Sequence, residues 1–262
     1  MYPITPTLSH LLSYYNIINL SHGTKEDKLG DAYEDYCVEI LGSNELLNKA
    51  KHYPLNLANT DEYLFYSVFS KFPSIEHISY LSATREIQHR ITGGNPKTDI
   101  IVDIQINNSI LQLPISVKQT TAPKVAMAEF DVNTIVREIG ITDPILISLL
   151  EKHQRDASAK NFTPIEKQEL FNRMTAYRHK FVRWVISGTP EPTNDLRYPD
   201  LLIKFSITKS NQILNINCYT IDEYVDYLTI DRYGNPKKGG FGTGLGWTYA
   251  TGSKGEKIQF KG

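Results

Sequence analysis

Two short stretches carry residue types that could act together: PKTDII at 96–101 and ISVK at 115–118. If they lie on neighbouring strands joined by a short turn, the carboxylate of Asp99 and the ammonium of Lys118 can share one site. With a turn centred near Asn108, Asp99 faces about residue 117. Side chains alternate along a strand, so Ser116 and Lys118 leave the backbone on the same side. A carboxylate beside an ammonium suits metal-assisted hydrolysis of a phosphodiester. The carboxylate of Asp99 holds Mg²⁺, which neutralises phosphate charge and lowers the pKa of a bound water. The lysine orients that water or stabilises the charge of the transition state. The same residues could instead form a surface salt bridge across a hairpin, and their spacing alone does not separate the two readings.

Other chemistries find less support. The seven histidines form no paired metal-binding or catalytic motif, and no P-loop, GxSxG or GxGxxG sequence occurs. The glycine-rich GFGTGLG at 240–246 does not run from a clear strand into a helix, so it is not read as a phosphate cradle.

The elements that must position these residues can be read from periodicity. TDIIVDIQIN (98–107) and ILQLPISVKQT (110–120) alternate as strands around the polar Asn-Asn-Ser and form a hairpin. Pro114 inside the second strand implies a sheet edge or a bulge. PDLLIKFSIT (199–208) and ILNINCYTI (213–221) form a second hairpin. A helix is expected over 24–41, capped by Thr24 and burying Leu29, Tyr33, Tyr36, Cys37 and Ile40. Further helices are expected over 61–72 (closed by Pro73), at about 131–139 and 143–155, and through IDEYVDYL. A long one over 163–186 opens with the capping box Thr163–Glu166 and Pro164. GGNP (93–96) reads as a turn. The last thirty residues read as loops and short strands. The fold class is therefore mixed α/β (α+β): a central mixed, largely antiparallel sheet flanked by helices. No linker separates two domains, so 1–262 is expected to be one domain.

The chain of 262 residues, 40% apolar and 22% charged, can bury a core without staples. Cys37 and Cys218 match neither a disulfide framework nor a zinc pattern, and two buried thiols in a reducing cytoplasm are expected. No apolar run reaches membrane-spanning length, and the N-terminus lacks the basic start of a signal peptide. The net charge of −1 excludes blanket attraction to polyanions. Residues 233–262 nevertheless hold five lysines and one acid, with Phe241, Trp247, Tyr249 and Phe260 interleaved. They form either a polyanion-binding surface or a solvated tail. Trp184 and Trp247 are read as core, and Arg178 and Arg183 as phosphate contacts or ion pairs.

Several stretches, in order, resemble the MspI family of type II restriction endonucleases, within the PD-(D/E)xK superfamily. They are GGNPKTD (93–99), VAMAEFDVNTI (125–135), KHQRDASAKNFTPIEKQ (152–168), YRHKFVRW (177–184), YPDLLIKF (198–205) and GFGTGLGWTYATGSKGEKIQFKG at the C-terminus. The resemblance covers nearly everything from residue 22 onward, with 43–80 diverging. It implies a Mg²⁺-dependent enzyme that cuts double-stranded DNA at CCGG after the first cytosine, leaving 5′-phosphate and 3′-hydroxyl ends. It also implies a cognate DNA methyltransferase in the host, and no protein partner is needed for cutting. Asp99 matches the metal-binding aspartate and Lys118 the catalytic lysine. Glu34, in LGDAYEDY, matches a helix glutamate that faces the site. From residue type alone, Glu34 is a solvated acid. Ser116 stands where most such nucleases carry an acid and where this family tolerates asparagine. The metal would then rest on Asp99, the Val117 carbonyl and, with them, Glu34. In the C-terminal segment Thr248, Ser253, Lys254, Gln259 and Lys261 are the expected base-reading residues. A cutter of another CG-centred tetranucleotide such as GCGC, or a DNA-binding protein made inactive by Ser116, are the alternatives.

Overall fold

The computed structural model describes residues 2–20, 22–72, 75–88 and 96–262. In chain order the helices are α1 (Pro6–Tyr14), α2 (His22–Leu41), α3 (Asn44–His52), α4 (Thr60–Phe69), α5 (Val132–Ile139), α6 (Pro144–Arg155), α7 (Pro164–Met174), α8 (Arg178–Ser187) and α9 (Ile221–Thr229). The strands are β1 (Ile78–Thr84), β2 (Ile100–Ile106), β3 (Ser109–Thr120), β4 (Ala126–Phe130), β5 (Leu201–Ile207), β6 (Ile213–Thr220), β7 (Gly246–Thr248) and β8 (Ile258–Lys261). They fall into two compact units, residues 1–123 with 194–220, and residues 124–193 with 221–262.

The first unit is built on a five-stranded sheet in the order β1-β2-β3-β5-β6. All neighbours are antiparallel except β3 and β5, which run parallel. The sheet is the mixed, largely antiparallel one expected. A parallel pair needs a long crossover, and the chain from 121 to 200 supplies it. α2 packs across β1, β2 and β3. Its face is the one periodicity marks: Leu29, Tyr33, Tyr36, Cys37 and Ile40 are all buried, against Val102, Ile104, Ile203 and Phe205 in one core. Each such apolar side chain stabilises the fold by about 1.5–3 kcal/mol, so the strands under α2 form a rigid platform.

Local details depart from the expectations. α2 starts at His22, so Thr24 lies in its first turn and is not its cap. α4 ends at Phe69, short of residue 72, while Pro73 and the turn residues 93–95 lie outside the described residues. β2 and β3 turn on two residues only, Asn107 and Asn108, with Asn107 in the left-handed region at φ 54°. The register becomes Ile100↔Ile115, which sets Asp99 opposite Ser116 where residue 117 was expected. Pro114 marks a local edge, as expected, although β3 as a whole is a central strand. It sits in the central strand just before pairing with β5 begins at Ile115, so its missing N–H costs no bond on that side. β1, with the half-exposed sequence ISYLSAT, shows no clean alternation and was not expected. Cys37 is buried, but Cys218 is only half-buried because β6 is the sheet's edge; neither forms a disulfide.

In the second unit, β4, β8 and β7 form a three-stranded antiparallel sheet in that order. Its inner face, Ile258 and Phe260, meets Trp184, which is 4% exposed and stacked on Phe130 at 3.9 Å, and Phe181, 5.1 Å from Phe260. Trp247 is half-buried in the same aromatic group. The long helix expected over 163–186 is two helices. Thr175 Oγ1 donates to the Phe171 carbonyl at 3.0 Å, and Tyr177 N–H turns to Met174 instead of continuing the α ladder. Such back-bonding by threonine bends helices. The glycines of GFGTGLG serve packing: a Cβ on Gly244 would lie 1.8 Å from the Leu228 carbonyl oxygen, and Gly244 has φ 69°. Arg183 forms an ion pair with Asp222.

Candidate active site

Asp99 stands one residue before β2, where its own N–H still bonds to the Ile115 carbonyl at 2.9 Å. Its side chain folds onto β3. Oδ2 accepts from the Val117 amide (2.7 Å), the Ser116 hydroxyl (2.9 Å) and the Lys118 ammonium (2.8 Å). Lys118 Nζ also donates to the Val117 carbonyl at 2.9 Å. Asp99, Ser116, Val117 and Lys118 are therefore brought together, as the hairpin predicts despite the one-residue register difference. Ser116 is 1% exposed, so its hydroxyl is held with no competing water.

Glu34 is not the solvated acid that residue type suggests. It projects from α2, and its Oε2 lies 2.6 Å from Arg85 Nη2. Burial, then the nearby charge of Asp99, pushes its carboxyl up to about 7, against the lowering effect of Arg85 and Lys118. Arg85, just past the end of β1, also grips Asp31 (2.7 Å) and Asp35 (2.8 Å), and Tyr15 donates to Asp35 at 2.5 Å. Sequence reasoning missed Arg85, and no local signal marks it: its partners lie about fifty positions earlier. Lys204 was also missed. The parallel register sets it beside Lys118, with Nζ donating to the Pro123 carbonyl at 3.2 Å.

Among the described residues no group of three or more His, Cys, Asp or Glu stands ready to hold a metal ion. The donors that do converge are hard oxygens: the Asp99 carboxylate, the Val117 carbonyl and the Ser116 hydroxyl. A divalent cation such as Mg²⁺ takes such ligands and retains several waters. The ammonium of Lys118 bridges two of these oxygens, the place a cation would fill. The donor set therefore fits a hard divalent ion that completes its shell with water or substrate oxygens, and it fits neither zinc nor a cage built from protein ligands alone.

In the second unit the outer face of the three-stranded sheet is polar. Glu129, Gln259 and Thr248 form one row across β4, β8 and β7, and Ala126, Lys261 and Gly246 form the next. Thr248 Oγ1 donates to Gln259 Oε1 (3.2 Å), Gln259 Nε2 to Glu129 Oε1 (2.6 Å), and Ser253 Oγ to Glu129 Oε2 (3.2 Å). Thr248, Ser253 and Gln259 are thus joined, and Lys261 shares their face one row away. Lys254 is exposed in the β7–β8 loop, lining a cavity of about 790 Å³ with His153, Trp247 and Tyr249. Glu129 was missed, and alternation does not reveal it: a register shift between Ala126 and Ala128 breaks the pattern of VAMAEF.

The five-stranded mixed sheet flanked by helices is the fold of a restriction endonuclease of known structure, and this sets the class. The family model for restriction endonuclease MspI matches residues 15–262, and the chain belongs to this family of type II, site-specific deoxyribonucleases. It is 36% identical over 265 residues to the type II restriction enzyme MspI of Moraxella sp., covering 98% of this chain and 99% of that one. To the type II restriction enzyme BsuFI of Bacillus subtilis it is 26% identical over 260 residues, 93% of this chain and 61% of that one. The crystal structure of MspI in complex with its cognate DNA matches with a TM-score of 0.87 and 35% identity, over 99% of this chain and 100% of that one. No described helix is long and apolar enough to cross a membrane.

Proposed function

We propose that this restriction endonuclease binds double-stranded DNA at CCGG and cuts each strand after the first cytosine, using Mg²⁺ and leaving 5′-phosphate and 3′-hydroxyl ends. The observation that carries the proposal is the convergence of Ser116, the Val117 amide and Lys118 on one oxygen of Asp99. Nearly full-length similarity to MspI supports the choice of CCGG. Asp99 and the Val117 carbonyl would hold the ion, which when bound supplies charge neutralisation and a water of lowered pKa. Ser116 and the Val117 amide fix the carboxylate of Asp99. Lys118 supplies positive charge where the phosphorane-like transition state gathers negative charge. Glu34, held by Arg85, contributes a second carboxyl beside Asp99.

The outer face of the three-stranded sheet, through Thr248, Gln259 and Lys261, and the β7–β8 loop, through Ser253 and Lys254, read the bases. Their donors and acceptors suit guanine O6 and N7 and cytosine N4 in the major groove. Residues 1–262 act as one restriction endonuclease domain, which the single family match across both units supports. The enzyme works in the cytoplasm without a protein partner, beside a methyltransferase that protects the host's CCGG sites.

Digestion of plasmid DNA of known sequence with Mg²⁺ tests the proposal. CCGG fragments support it. A GCGC ladder would replace the site, and sequence-specific binding without cutting would show that Ser116 has cost the chain its chemistry.

A further inference from the structure

We infer that Glu129 is a positioning residue that sets base selectivity by locking the side-chain amide of Gln259 in one orientation. The inference rests on the reading above, that the outer face of the three-stranded sheet meets the bases.

The strand register puts Glu129, Gln259 and Thr248 side by side on three adjacent strands. An ionised carboxylate only accepts hydrogen bonds. At 2.6 Å from Glu129 Oε1, the Gln259 side chain must therefore present its NH₂, not its oxygen. That turns Oε1 towards Thr248, whose hydroxyl lies 3.2 Å from it and shares its one proton between Oε1 and the Gln259 backbone carbonyl at 3.3 Å. The second carboxylate oxygen of Glu129 accepts from Ser253 at 3.2 Å, so the carboxylate itself cannot rotate without breaking another bond. Three strands and a loop thus fix one amide.

In this orientation Gln259 has one N–H and one oxygen lone pair left to meet a base edge, each on a known side. A reversed amide would exchange them. A donor would then face a donor, or an acceptor an acceptor, and the base that had been matched would be refused. Gln259 has no preference of its own between the two orientations, because its oxygen and NH₂ are nearly equal in size and shape. The preference comes from Glu129. Lys261 lies in the next row and can only donate, so its selectivity does not depend on this lock.

The test is kcat/KM with Mg²⁺ on short duplexes carrying CCGG or each single-base variant of it, with thermal unfolding of every protein alongside. Glu129→Gln keeps the shape but accepts or donates equally, so it releases the amide. Glu129→Ala removes the partner altogether. The expected result is a fall of about tenfold or more in the ratio of CCGG to near-cognate cutting for both variants, concentrated at one base position. In a Gln259→Ala background, Glu129→Ala should bring no further loss at the base position that Gln259 reads, because there Glu129 acts through Gln259. Should Glu129→Ala unfold, Glu129→Gln carries the comparison. An unchanged ratio in Glu129→Gln, equal loss on CCGG and near-cognate duplexes, or additive losses at that one base position in the double variant would each overturn the inference. Full selectivity in Gln259→Ala alone would instead overturn the underlying reading of this face, and the inference with it.

Discussion

Replacing Lys118 with methionine separates the two roles the geometry gives that residue. Its ammonium lies 2.8 Å from Asp99 Oδ2 and 2.9 Å from the Val117 carbonyl, the two oxygens argued to hold a divalent ion. Ion binding must therefore displace the ammonium and then tolerate it nearby. A unit charge pair at that distance has a gross attraction of about 6 kcal/mol at an effective dielectric constant of about 20. Both side chains are part-exposed, at 24% and 19%, so rehydration of the ammonium returns most of that. A net competition of about 1–2 kcal/mol remains, or roughly 5–30-fold in affinity. Calorimetric titration of Mn²⁺ into the protein without DNA should thus show Lys118→Met binding the ion more tightly than wild type by that factor. CCGG cutting by the same variant should fall by at least about a hundredfold, since a charge aimed at the transition state is gone. Equal or weaker Mn²⁺ binding by Lys118→Met would refute the assignment of these two oxygens to the ion.

Asp99→Ala should abolish cutting, whereas Ser116→Ala, which loses a hydrogen bond to the Asp99 carboxylate worth about 1.5–3 kcal/mol, should cost roughly 10- to 150-fold and leave measurable cutting; a Ser116→Ala enzyme as inactive as Asp99→Ala in the plasmid digest would contradict this. Gln259→Ala and Lys261→Ala should each lose about 1–3 kcal/mol of binding to CCGG duplex and little to unrelated duplex in an anisotropy titration. Equal weakening on both, with a flatter salt dependence, would make these residues phosphate contacts. His153 is 3% exposed, and burial pushes its pKa from 6.5 down to about 4, Asp156 raising it only slightly. The folded state therefore binds fewer protons than the unfolded chain. The stability this gives is full above pH 6.5 and is lost as pH falls towards 4, up to about 3 kcal/mol. Urea unfolding of wild type and His153→Gln across that window checks it: the variant should lose most of this acid dependence, and an identical profile would rule His153 out as its source.

Much of this protein is local, and what is local could be read directly. The apolar face of α2 follows from spacing alone, because helical period and burial are the same fact seen twice. The convergence of Asp99, Ser116 and Lys118 follows from strand alternation around a short polar turn. A hairpin confines its partners to a few positions, so even a one-residue error in register left the site recognisable. The capping box at Thr163 was legible for the same reason. Where two interactions compete over a few ångströms, pattern is not enough. Thr175 breaks a helix whose apolar period runs on through it, and Pro114 sits in a central strand because only the neighbour's starting point decides whether its missing N–H matters.

What tertiary structure alone decided are the contacts between segments with no sequence relation. Arg85 reaches back across about fifty residues to pair with Glu34, an apparently solvated helix acid that the fold leaves half-buried and close enough to feel the charge of Asp99. Glu129, Thr248 and Gln259 come from three short strands spread between residues 126 and 261, and they form a row only because one register out of several was chosen. That choice is made by the opposite face of the sheet, where Phe130, Ile258 and Phe260 must enter the aromatic core. The side chains on the outer face take whatever neighbours this imposes.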